Sequence, residues 1–130
     1  MERRALQVAL ALVSLIPVFA GLAAVVQGPA FFDATLSISG NSMLRYLSGL
    51  LLGIGLTVWA IIPRIEENGR VLGAIAFIVA VGGLARLWSL ISVGTPRTPM
   101  VLALFVELIL TPALYLWQRR VARATIETRV

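Results

Sequence analysis

Residues 71–117 read VLGAIAFIVAVGGLARLWSLISVGTPRTPMVLALFVELILTPALYLW, and two properties of this stretch decide the fold. The first is length. Val71 to Val93 is apolar around a single charge, Arg86, and Met100 to Trp117 is apolar around a single charge, Glu107. A run of about 20 apolar residues, rising ~1.5 Å each as a helix, crosses the ~30 Å hydrocarbon core of a bilayer. The second is the interruption, Gly94-Thr95-Pro96-Arg97-Thr98-Pro99, whose glycine and prolines stop one helix and turn the chain into the next.

Working outward, two more blocks of the same kind precede this pair. Ala5 to about Val26 carries no charge and follows Arg3 and Arg4; Ser42 to Ile62 carries only Arg45, in its first turn, and ends at Pro63-Arg64. A short basic signal peptide is the rival reading of the first block, but its apolar part is normally only about 7–15 residues. Pro17 falls mid-helix, which a membrane helix tolerates where neighbours satisfy the freed carbonyl. The segment 28–41, GPAFFDATLSISGN, is more polar and reads as a connector with Gly-Pro and Gly-Asn turn signals; a lid is the sharper alternative. The expectation is an all-α integral membrane four-helix bundle, up-down-up-down, forming one domain over residues 1–130 with spans of about 5–26, 42–62, 71–93 and 100–117.

Composition agrees. The 130 residues are 59% hydrophobic and 13% charged, whereas a soluble domain is about a quarter charged. Neither cysteine nor histidine occurs, which removes disulfides, thiolate and imidazole metal ligands and the commonest general base. No metal site, cofactor or catalytic constellation is therefore expected, and the chain does not read as an enzyme. The net charge of +5 comes from arginine alone. Arg3, Arg4, Arg64, Arg70, Arg119, Arg120, Arg123 and Arg129 fall on one side of the spans, and Arg97, with Arg45 at a helix entrance, on the other. Basic residues of short loops stay cytoplasmic, so both termini are placed there; the same rule accounts for the charge without nucleic acid.

Helices in lipid associate through close contact at small residues. Gly49 and Gly53 on the second helix, with Ser48 and Gly55 nearby, and Gly82 and Gly83 on the third, with Ala76 and Ala80, are the expected packing positions; the first offers Ala20, Gly21 and Ala24. A homodimer seam on Gly49 and Gly53 is the alternative use of the same pattern.

Charges inside a span are costly, so they turn toward the bundle interior and mark sites. Arg86 lies eight residues before Gly94 and Glu107 eight residues after Pro99, which puts both roughly 10–12 Å below the same surface on consecutive helices. A buried ion pair is expected. Gly82, Gly83, Arg86 and Ser89 share one face by their spacing, and Ala103, Glu107, Thr111 and Leu114 another. Arg45, with Asn41 and Tyr46 close in sequence, completes a polar cluster of Arg45, Arg86, Glu107, Asn41, Tyr46 and Ser89. Two readings stand side by side: a clasp that fixes helix register, with Arg45 snorkelling to headgroups, or a pocket for the polar head of a lipid-like molecule. A proton-coupled Glu107 is the weakest, because its neighbour is a permanent cation.

The pattern Asn41-x-x-x-Arg45-Tyr46-x-x-Gly49-x-x-x-Gly53-x-Gly55, followed by Gly82-Gly83-x-x-Arg86-x-x-Ser89-x-x-x-x-Gly94-x-Pro96 and Glu107-x-x-x-x-Pro112, resembles the bacterial four-helix membrane proteins called domain of unknown function 4345. The layout is also similar, more loosely, to the DoxX-like group. The resemblance covers the second to fourth helices and implies a four-helix fold in a bacterial inner membrane, with Arg45, Arg86 and Glu107 as its notable positions. It implies no reaction, cofactor or partner. The leading expectation is a protein that binds an amphipathic small molecule; an accessory or assembly subunit is the alternative. A small transporter is disfavoured, since small four-helix exporters commonly carry a carboxylate in the first helix and none is present there.

Overall fold

The computed structural model describes residues 1–127. Arg129, counted above in the basic tail, lies outside the described residues. The described chain is all-α. Four helices are long and apolar enough to cross a membrane: α1, Glu2–Gln27; α2, Ile38–Ile61; α3, Gly69–Ser92; and α4, Thr98–Glu127. Contacts group them into two compact units, Gln7–Pro63 and Met1–Leu6 with the described residues from Arg64 onward, each built on one antiparallel helix pair.

In the first unit α1 buries Leu10, Ser14, Val18, Gly21 and Ala24, a three-to-four-residue spacing that puts all of them on one face. Gly21 meets the α2 backbone directly: a Cβ there would stand 2.7 Å from the Leu52 nitrogen and 2.9 Å from the Ser48 carbonyl oxygen. Gly55 does the same against Val18 and Pro17. The Ser14 hydroxyl, buried in this face, donates to the Leu10 and Ala11 carbonyls at 2.6 and 3.1 Å, so it leaves no polar group exposed to lipid. At the far end the Gln7 amide donates to the Ile62 carbonyl, 2.8 Å.

The connector from α1 to α2 is partly helical. Gly28–Phe32 forms a 3₁₀ turn, and the Phe31 and Phe32 rings meet edge to face, 4.9 Å apart. Helix α2 begins at Ile38, four residues before the span expected from hydropathy. Ser37 decides this. Its hydroxyl accepts the Gly40 amide at 3.1 Å as an N-cap, and Gly40-Asn41, which read as a turn, becomes the first helical turn instead.

In the second unit α3 and α4 approach through Gly73, whose Cα faces the Tyr115 ring, and Gly83, whose Cα faces Leu108 and Glu107. Ile65, Leu72, Ile75, Ala76, Leu114, Gln118 and Val121 are buried. The Gln118 amide nitrogen donates to the Ile65 carbonyl at 2.9 Å. Arg3–Glu66 (2.9 Å) and Glu2–Arg120 (3.3 Å) join the start of α1 to the connector before α3 and to the end of α4. Helix α4 runs ten residues past the expected end of its span. Residues 119–127 contain no glycine or proline, and Val121 anchors their inner face, so the basic tail continues the helix.

Three of the expected packing glycines meet no neighbour within their own unit. Nothing lies within 4 Å of a Cβ built on Gly49, Gly53 or Gly82, while Gly21, Gly55, Gly73 and Gly83 are tightly faced. Spacing marks a stripe as small, but the rotation of the helix about its axis decides whether that stripe meets a neighbour, and rotation is set by the partner helix.

Candidate functional site

Arg86 and Glu107 meet within the second unit. The Arg86 Nε donates to Glu107 Oε2 and Nη2 donates to Oε1, both at 3.0 Å, a side-on arrangement that uses both carboxylate oxygens. Gly83 makes this possible. Its missing side chain lets α4 close to the point where a Cβ would lie 3.0 Å from the Glu107 Cβ, and Arg86 follows Gly83 by three residues on nearly the same face. The pair is covered but not sealed: the side chains remain 36% (Arg86) and 19% (Glu107) exposed. The expected buried pair is therefore only partly covered, because the exposed Gly82 and Ser89 beside Arg86 give it no cover within its own unit.

Glu107 sits on a break in helical regularity. Helix α4 is α-helical over Thr98–Phe105, widens into a π turn over Val106–Leu110, and resumes as α over Thr111–Glu127. Both the amide and the hydroxyl of Thr111 donate to the Val106 carbonyl, the hydroxyl at 2.9 Å. Pro112 supplies the cause. It has no N–H for the Leu108 carbonyl, and in a regular α-helix its ring would collide with that carbonyl; one extra residue in the turn relieves the clash. The insertion also shifts the face carried by residues before it relative to those after. Glu107, Thr111 and Leu114 therefore do not continue one straight stripe, as regular spacing had placed them. The signal was present in the sequence as a proline five residues after the carboxylate.

Arg45 is engaged within the first unit. Its guanidinium donates to the Val25 carbonyl and to the Val26 carbonyl (3.1 Å), and its Nε donates to Asn41 Oδ1 at 3.0 Å. These carbonyls belong to the last turn of α1, where no intrahelical donor remains and the helix dipole is negative, so a fixed cation is stabilised there. Gly28 completes the arrangement. It adopts φ +62°, which favours glycine, and a Cβ would lie 2.7 Å from Arg45 Nη2 and 3.1 Å from Asn41 Oδ1. Arg45 and Asn41, expected to line a ligand pocket, are thus engaged in capping α1. Tyr46 and Ser89 are exposed. Gly28-Pro29 at the end of an apolar block is the composition of a capped helix end, and is the feature from which this role could have been read.

Among the described residues no group of three or more acidic, histidine or cysteine side chains could hold a metal ion. Two surface grooves lie elsewhere: one along Leu116, Arg119, Arg120 and Arg123 of α4, another beside Ile38, Ser42 and Tyr46 at the start of α2. No curated protein and no solved structure matches this chain. One protein family does, and its match spans both helix pairs, from residue 5 to residue 118, taking in Arg45, Arg86, Glu107 and Pro112. By that match over most of its length, the chain belongs to the family described as Domain of unknown function (DUF4345).

Proposed function

We propose that this membrane protein binds the polar head of an amphipathic small molecule beside the Arg86–Glu107 pair, with the apolar remainder of the molecule lying along the lipid-facing helix surface. The observation that carries this reading is a two-bond ion pair left partly open within membrane-length apolar helices. An ion pair left partly uncovered within a span is costly, and a polar group on that flank would offset the cost: Arg86 can reach an oxyanion or carbonyl while Glu107 holds it in place. The open space over Gly82 and the Ser89 hydroxyl lie on that flank. Binding and orientation are what these groups can supply; acid–base chemistry has little to draw on here. The arginine asymmetry supports placing both termini on the cytoplasmic side, and the family resemblance supports a bacterial inner membrane.

Native mass spectrometry of the protein released from mild detergent tests the reading. A retained small molecule is expected on the parent protein and absent from a folded Arg86→Met/Glu107→Leu variant. Equal adducts on both, or none on the parent across several detergents, defeat it. A second reading, an accessory subunit or homodimer packed along α2, is favoured by the empty space over Gly49 and Gly53. Gly49→Leu/Gly53→Leu would then abolish a co-purifying partner without loss of adduct at Arg86.

A further inference from the structure

Helix α4 is longer than a bilayer core is thick. Its 30 residues extend about 45 Å, against ~30 Å of hydrocarbon. The uncharged end of the span is Trp117, and Arg119, Arg120 and Arg123 follow within two turns. At about 100° per residue, Leu116, Arg119, Arg120, Arg123 and Glu127 share one face, opposite the buried Leu114, Gln118 and Val121. The side chains of that outer face enclose a shallow groove with Leu116 at its membrane end and Glu127 at the other.

We propose that this groove binds the phosphate of one anionic phospholipid, with Arg119, Arg120 and Arg123 around the headgroup and the exposed Leu116 against the start of its acyl chain. Three features converge on a lipid. The arginines begin where the apolar span stops, which is the level of headgroup phosphates. Guanidinium groups pair with phosphate oxygens through two parallel hydrogen bonds. The cationic part of the groove spans only about 6 Å along the helix axis, enough for one phosphodiester and too short to track a nucleic acid backbone. An ion pair on this face, Arg120 with Glu2 at 3.3 Å, is between largely exposed side chains and contributes little, so a phosphate can share or replace it.

Trp117 provides the probe. With Trp59→Phe and Trp88→Phe it is the single tryptophan, three residues from Arg120 and six from Arg123. The purified protein is reconstituted in vesicles of phosphatidylcholine and phosphatidylglycerol, with bromine on the acyl chains of one lipid at a time, and Trp117 quenching is measured. The symmetric vesicles make the result independent of insertion direction. Brominated phosphatidylglycerol should quench with a relative affinity at least about threefold above phosphatidylcholine, given the attraction of each arginine to an anionic surface. Arg119→Gln/Arg120→Gln/Arg123→Gln should bring the ratio to about one, while the corresponding triple lysine variant retains a preference and reports that folding is intact. No preference in the parent overturns the proposal. So does a preference that survives the glutamine substitutions, or one lost equally in Arg64→Gln/Arg70→Gln, which would indicate diffuse charge. Displacement of phosphatidylglycerol by a short RNA at equal phosphate concentration would also overturn it, in favour of nucleic acid.

Discussion

Replacing Arg86 and Glu107 singly and together should produce a large departure from additivity. Each side chain is more covered than exposed, and two 3.0 Å charge-assisted bonds connect them. Removing one partner of a buried pair strands the other charge and costs about 3–5 kcal/mol. The partial exposure of Arg86 lets it relax toward headgroups, which moves the expectation to about 2–3 kcal/mol for each single variant. Apolar residues of similar volume at both positions remove the stranded charge, so Arg86→Met/Glu107→Leu should lie within about 1 kcal/mol of the parent. The coupling is therefore about 3 kcal/mol or more, at the upper end of what neighbouring residues show. Unfolding in mixed micelles with increasing sodium dodecyl sulfate, followed by far-ultraviolet circular dichroism, measures all four corners of the cycle. A double variant as unstable as the sum of the singles would refute the reasoning, because the two charges would then be acting independently.

Three further outcomes are expected. Gly21→Ala should destabilise the first helix pair by about 1–3 kcal/mol, since its Cβ meets immovable α2 backbone, whereas Gly49→Ala should be neutral or stabilising by up to about 1 kcal/mol; the same unfolding assay separates them. Arg45→Ala should cost about 2 kcal/mol by uncapping the Val25 and Val26 carbonyls, and faster amide hydrogen exchange should be confined to the end of α1 and the connector that follows. Pro112→Ala should allow α4 to close its π turn, rotating residues before it by about 100° relative to those after. In that background the Arg86–Glu107 coupling should fall; an unchanged coupling would show that the proline does not place Glu107.

The alignment of Arg86 with Glu107 was legible in the sequence because equal distances from one tight turn put two residues at equal depth on the two arms. The capping role of Arg45 was not, although Gly28-Pro29 announced a helix end. Which cation comes to rest on that end depends on how α2 lies along α1, and spacing within α2 carries no record of it. The π turn stands between these cases: Pro112 signals an irregularity, but a kink, a break and a widened turn all answer the same missing N–H.

The sequence by itself determined four apolar helices of membrane length and the arginine-rich ends that bound them. Those are properties of composition along a line, and the energy of transferring a segment into lipid depends on little else. Tertiary structure decided how each helix turns about its own axis. It chose Gly21, Gly55, Gly73 and Gly83 over Gly49, Gly53 and Gly82 as points of contact, and it set Arg45 onto the carbonyls of α1. Rotation carries almost no transfer energy when every face is apolar, so it is settled by steric fit and by the few hydrogen bonds that only a partner helix can complete.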